Sequence, residues 1–222
     1  HRIHYINKRI ARCIHLSGDR LGRSGTMRRC SARATVDQAE ALSLMQEYVK
    51  NPGLQRHMLA VAAAMLDYAS RFGENPESWK LAGLLHDFDW EIHPTLEHHP
   101  QDGAPILRER GVPEEIVQCI LSHANHTGIP RTTRMQRALF ACDEITGLIT
   151  ATALVRPSRS ILDVAVPSVR KKWKDGRFAA NVLRDDIVAG ADALGIELWE
   201  HVGNVLSSMQ RIAPELGLDG SG

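Results

Sequence analysis

The stretch LLHDFDWEIHPTLEHHP, residues 84–100, ends one kind of sequence and begins another. Up to Leu85 the chain is apolar at helical spacing. From there it holds four histidines (His86, His93, His98, His99) and four carboxylates (Asp87, Asp89, Glu91, Glu97). A surface loop can be polar without so much imidazole. Two readings compete: a solvated acidic loop, or a metal site whose first ligands, His86 and Asp87, stand at a helix end.

Working outward, the flanking sequence predicts consecutive helices. Asn75-Pro76 supplies an N-cap and a proline at the first helical position, and that helix reaches His86. Asn51-Pro52 gives the same signal; Leu54, Met58, Val61, Met65 and Phe72 follow at helical spacing, and Gly73 stops the run. Before it, Thr35-Val36-Asp37-Gln38 has the form of a capping box for a helix to about Lys50. Downstream, helices are expected from about Pro100 to Arg110, from Pro113 through His123, from about Thr133 to Val155, from Ser168 to Lys174, and as one or two pieces from Arg184 to about Ile212. No stretch alternates with period two long enough for a strand. The fold class is all-α, a bundle of consecutive helices.

Composition bounds the function. Hydrophobic residues make up 43% of the 222 and aromatics 5%. The formal charge of +1 argues against a dedicated nucleic-acid surface, but it is unevenly spread. Residues 1–33 hold nine of the 27 Lys and Arg and one of the 26 Asp and Glu, which leaves 18 basic against 25 acidic residues for the rest. The chain begins with His1, and its first segment is Arg-rich like an organelle transit peptide. Residues 1–34 are expected to be a basic N-terminal extension, non-native or disordered, and 35–222 the domain with its C-terminal helices. No run of 18 apolar residues exists, so no membrane span is expected. Of four cysteines, none forms a CxxC pair; Cys119 and Cys142 fall on apolar helical stretches and read as buried thiols of a cytoplasmic protein.

Placed on these helices, the polar residues form a pattern. His57 lies one turn before Val61 on an otherwise apolar face, where it could equally be a hydrogen-bonded core histidine. His86-Asp87 ends one helix, His99 opens another and His123 ends a third. Asp143 follows the apolar run Ala138-Leu139-Phe140-Ala141-Cys142, where a carboxylate is costly unless paired or bound to metal. Histidine and carboxylate ligands suit iron, manganese, zinc, nickel or magnesium.

The ordered set His57, His86-Asp87 and Asp143 resembles the HD superfamily of metal-dependent phosphohydrolases, named for its His-Asp pair. "HHPQDGAPIL" (98–107), "ILSHANHTGIP" (120–130) and "ACDEITGLITATALVRPSR" (141–159) are similar to segments of its HD-GYP branch. The likeness covers roughly residues 40–180 and is greatest to small stand-alone HDIG-type hydrolases. It implies an all-α HD-domain bundle with a core of about five helices plus C-terminal helices, and one metal held by His57, His86, Asp87 and Asp143. It also implies a second ion held by His99 and His123, with Asp87 bridging. His99 is preferred to His98 because it precedes the motif's proline; His93 and His98 are expected to be supporting or solvent residues. Three departures count. Gly53 stands where some members carry a third-site carboxylate, so two ions are expected, Fe or Mn first. The lysine that often follows the HD pair is absent. Gly128-Ile129-Pro130 replaces Gly-Tyr-Pro, so cyclic-di-GMP hydrolysis is not assigned.

The resemblance implies hydrolysis of a phosphomonoester or phosphodiester, nucleotide-like or a related small phosphorylated substrate, by metal-activated water. Asp87 takes part as the bridge, His126 is the expected general acid and Asp89 the next candidate. Arg156, Arg159, Lys171 and Lys172 are candidates for gripping phosphate. Two other classes stay open: an HD-fold diiron oxygenase, which needs O₂, and a degenerate module that binds nucleotide or a partner. A homodimer also stays open.

Overall fold

The computed structural model describes residues 36–221; the basic leader and Thr35 lie outside them. Nine α-helices and two single-turn 3₁₀ helices (Asn125–Thr127 and Ile161–Asp163) make up the regular structure of the described residues: α1 (Gln38–Tyr48), α2 (Pro52–Phe72), α3 (Pro76–Leu85), α4 (Ala104–Glu109), α5 (Glu114–His123), α6 (Arg134–Leu154), α7 (Val166–Trp173), α8 (Arg184–Leu194) and α9 (Leu198–Arg211). Their only β feature is an isolated bridge between Ser160 and Asp219. The all-α expectation holds.

Most helix ends sit where capping chemistry predicts. Asn51 and Asn75 accept N–H groups of the first turns of α2 and α3, each with proline at the start. Gly73 closes α2 with φ 67°. Thr133 and Gln136 form a capping box on α6. Two boundaries differ from the sequence reading. The capping box of α1 is Asp37 with Glu40, two residues later than expected, because the carboxyl pair satisfies both orphan N–H groups. Residues 100–103 form turns, so α4 starts only at Ala104. The last helical stretch, expected as one or two pieces, is two helices parted at Gly195 with φ 69°.

Two long helices, α2 and α6, form the middle of the bundle. α2 packs against α3, α6 and α9; α6 packs also against α5 and α8. Met58, Val61 and Met65 on α2 and Leu139, Ile145, Leu148 and Ile149 on α6 are fully buried. Each such side chain contributes about 1.5–3 kcal/mol through burial. Small residues set the closest approaches. A Cβ at Gly83 would lie 2.7 Å from Ala62 Cα, so α3 touches α2 backbone to backbone. A Cβ at Gly190 would lie 2.6 Å from Ala141 Cα, drawing α8 onto α6 in the same way. The sequence's histidines and carboxylates stand at the ends and inner faces of these tightly drawn helices.

Candidate metal centre

Five chain segments deliver six side chains to one place. His57 comes from the second turn of α2, His86 and Asp87 from the end of α3, His99 from the following loop, His123 from the last residue of α5 and Asp143 from mid-α6. His57, His86 and Asp143 form one group of ligand-type atoms; Asp87, His99 and His123 form a second. In the first, His57 Nε2 lies 3.0 Å from Asp143 Oδ1 and 3.2 Å from His86 Nε2. In the second, Asp87 Oδ1 lies 3.3 Å from His99 Nε2 and 3.6 Å from His123 Nε2, with the two nitrogens 3.3 Å apart. Asp87 joins the groups: its other oxygen, Oδ2, is 3.5 Å from His86 Nε2 and 3.7 Å from His57 Nε2.

The opposite ring nitrogens fix the tautomers. Carbonyls only accept, so His86 Nδ1–H must donate to Gly83 O at 2.8 Å and His123 Nδ1–H to Ile120 O at 2.6 Å. His99 Nδ1–H donates to Asp89 Oδ1 at 2.8 Å. Thr146 gives its hydroxyl proton to Asp143 O at 2.8 Å and so accepts from His57 Nδ1–H at 3.1 Å. In the neutral rings all four Nε2 atoms are therefore bare, and they converge. Bare lone pairs 3.2–3.3 Å apart repel unless a cation lies between them. Donors about 2.1 Å from one cation stand about 3.0–3.4 Å apart, so the spacing and the N/O donor set fit a divalent metal.

The charge balance agrees. Burial disfavours the imidazolium of His86, but the carboxylates of Asp87 and Asp143 outweigh it and raise its pKa. For His99, burial is again opposed, here by hydrogen bonds to Asp87 and Asp89, and the pKa rises to about 9. Burial opposes ionisation of Asp87 and Asp143 too, yet the surrounding histidines hold both below the usual carboxylate range. Without metal, protons serve as the cluster's cations. A histidine raised from 6.5 to about 9 adds stability that is complete below pH 6.5 and is lost as pH rises through 9. The metal-free protein should therefore lose thermal stability from pH 6.5 to 9. Added Mn²⁺ should raise Tm more at pH 9 than at pH 6.5, because it no longer displaces a proton. A metal-induced shift of equal size at both pH values would contradict this.

Five of the six residues, all but the fully buried His86, line a cavity of about 310 Å³ whose walls also include Trp90, Leu96, Glu144, Gly147 and Val182. Trp90 packs edge-on to His99 with ring centres 4.9 Å apart. A larger cavity of about 550 Å³, beside α3, α5 and the start of α6, contains none of the six and no histidine.

Other expected residues are not brought to this pocket. Asp89 is fully buried behind His99 and bonded to both His99 and His93, so neither oxygen faces the cavity. Its place is that of a support: Asp89→Ala should weaken metal binding about 10–100-fold, read by metal titration, without removing any of the six donors. His126 is exposed, and its Nε2 donates outward to His99 O at 2.8 Å. Arg156 and Arg159 follow the end of α6, whose last residue is about 16 Å along the axis from Asp143. Lys171 is exposed on α7, and Lys172 lies over the Phe178 ring. None of the four cations lines the metal pocket. His98 pairs with Asp102 at the surface, 2.7 Å away.

Three contributors escaped the sequence reading. Thr146 orients His57. Arg131 donates to Ser122 O and His123 O at 2.8 and 3.0 Å, tying down the end of α5. Glu144, next to Asp143, faces the pocket, and burial with the Asp143 charge raises its pKa to about 7. Its Oε2 accepts Leu183 N–H at 3.1 Å. Only Glu144's adjacency to Asp143 was readable in advance.

A helical bundle that gathers histidines and aspartates from five segments into two joined ligand groups has the donor set to hold a divalent metal. The family model described as HD domain matches residues 54–148, a span that includes all six side chains, and this part of the chain is an HD domain, the unit that defines the HD superfamily. That superfamily consists mostly of metal-dependent phosphohydrolases. No curated protein and no solved structure matches the chain. No helix of the described residues is long and apolar enough to cross a membrane.

Proposed function

We propose that the chain is a metal-dependent phosphoric ester hydrolase with two divalent ions, Fe or Mn before Zn, Ni or Mg, acting on a small phosphorylated substrate. The carrying observation is the pair of three-residue groups joined through the two oxygens of Asp87, with every Nε2 bare and inward. His57, His86 and Asp143 would hold one ion, His99 and His123 the other, and Asp87 both. Bound cations supply Lewis-acid polarisation of a phosphoryl oxygen and a lowered pKa for the attacking water. Trp90 and Leu96 give the cavity an apolar wall that limits bulk water. Buried cysteine thiols at 119 and 142 suit a cytoplasmic setting, and residues 35–222 form the functional unit behind the extension 1–34.

The leaving group also needs a proton. Glu144 is the one carboxyl lining the cavity that belongs to neither ligand group, and it takes this role in place of His126 and Asp89. Glu144→Gln should keep its metal and slow hydrolysis of alkyl esters by about 10²–10⁴ while hardly affecting nitrophenyl esters, whose leaving group needs no proton. The reverse pattern, with His126→Ala slow and Glu144→Gln normal, would return the role to His126. The reading as a whole is tested with Mn²⁺- or Fe²⁺-loaded protein on a phosphoester panel. Phosphate release without O₂ is expected; turnover that strictly requires O₂ and releases no phosphate would overturn it in favour of an oxygenase.

A further inference from the structure

The metal pocket does not end at His57. His57 and Gly147 also line a second cavity of about 260 Å³, bounded by the N-terminal part of α2, the C-terminal half of α6 and the chain's last residues. Its surface is mainly apolar, from Ala151, Leu154, Leu216 and Leu218. Gly147 lines both cavities without a side chain, and the nearest atom to a Cβ there would be Val182 Cγ2 at 3.4 Å. Arg56 lines this second cavity and also a third, again about 260 Å³, which contains Arg159 and Asp219.

The far end carries unspent positive charge. Neither Arg56 nor Arg159 forms a side-chain hydrogen bond or ion pair among the described residues. The Arg56 guanidinium lies against Gly217, where a Cβ would stand 3.2 Å from Cζ. Arg159 holds a positive φ of 50°, a conformation that L side chains seldom adopt and that points to a demand on its position. The neighbouring Asp219 carboxylate is occupied by the Ser221 N–H and hydroxyl, at 3.1 and 2.6 Å. Two guanidiniums thus face one engaged carboxylate.

We infer that the three cavities form one substrate groove, and that the substrate is an elongated amphipathic phosphoric ester. Its phosphoryl group sits at the metal centre, its apolar alkyl or aryl middle lies along Ala151, Leu154, Leu216 and Leu218, and a second anionic group is gripped by Arg56 and Arg159. This rests on the phosphohydrolase reading for the first of those placements. An apolar slot with convergent polar groups at its ends is the ordinary form of a small-molecule site, and a guanidinium binds a carboxylate or phosphate through two hydrogen bonds. The length follows from α6. Gly147 to Leu154 is about 10 Å along the helix axis, a span covered by about eight methylenes at about 1.2 Å per bond.

The test uses non-hydrolysable phosphonates with the Mn²⁺-loaded full chain, so binding is read whatever the reaction proves to be. Calorimetry compares octylphosphonate with 8-carboxyoctylphosphonate, with methylphosphonate as reference. The terminal carboxylate should tighten binding at least about tenfold, and this gain should vanish in an Arg56→Ala/Arg159→Ala double variant, whose changes are at exposed positions. Gly147→Leu should weaken both long ligands relative to methylphosphonate by about tenfold. Equal affinity of the two long ligands for the unaltered protein would overturn the inference. So would a carboxylate gain that survives in the double variant, or long-ligand affinity indifferent to Gly147→Leu. If the phosphonates bind as expected but the matching phosphate esters release no phosphate, the groove stands and the hydrolase reading falls.

Discussion

Asp87→Ala should strip metal from both ligand groups at once. Every other donor serves one group, whereas Asp87 presents Oδ2 to His57 and His86 and Oδ1 to His99 and His123. Its removal leaves the four bare Nε2 atoms facing one another with only Asp143 to offset a cation. Metal analysis should show less than one ion per chain under conditions that load about two into the parent. Hydrolysis should fall by about three decades or more, since metal assistance is worth several kcal/mol and each 1.36 kcal/mol is tenfold. His123→Ala makes the contrast: it should spare the group of His57, His86 and Asp143 and so retain about one ion. An Asp87→Ala protein that keeps one full equivalent would show that the carboxylate does not join the groups.

The second large effect is expected far from any ligand atom. Gly83→Ala places a methyl 2.7 Å from Ala62 Cα and 2.8 Å from Ala62 N, both backbone atoms that no rotamer change can move aside. α3 must therefore retreat from α2, at a cost of about 1–3 kcal/mol, or roughly 3–10 °C in Tm for a domain of this size. The retreat reaches the site, because His57 rides on α2, His86 ends α3, and the Gly83 carbonyl is the acceptor that orients His86. Metal affinity should drop along with Tm. A variant with unchanged melting and unchanged metal binding would mean that the helix contact is softer than the structure shows.

How much of this could be read from the chain alone depends on the kind of interaction. Asn51-Pro52, Asn75-Pro76 and Thr133 mark helix starts because capping is local chemistry, written within three or four residues. The six converging side chains were legible as an ordered pattern for a similar reason: five stand at a helix end or break an apolar run, where a polar residue needs a partner, and His99, which lies in a loop, was marked by the proline that follows it. What lies across a helix was not legible. Periodicity gives the different faces of α6 on which Thr146 and Glu144 stand, but not that one meets His57 and the other a cavity. His126 looked eligible because it follows His123 by three residues; Gly128, at φ 68°, closes a short turn there, and the ring turns back to the His99 carbonyl. Arg156 and Arg159 looked like partners of a phosphate at Asp143, yet a straight helix carries them away from it. Both misplacements come from reading nearness along the chain as nearness in space.

The way the four imidazoles are tied back divides evenly. In each ligand group one histidine is held by a carbonyl of its own helix three residues earlier, Gly83 for His86 and Ile120 for His123. The other is held by a replaceable side chain, Thr146 for His57 and Asp89 for His99. The first kind of anchor persists for as long as the helix does, whatever the sequence becomes. The second is adjustable, and the two adjustable anchors differ: a neutral hydroxyl stands behind one group and a carboxylate behind the other. The His99 ring is thereby the more electron-rich of the two. A lineage could shift the electronic character of either half of the centre through a single change at 146 or 89, leaving every donor atom in place.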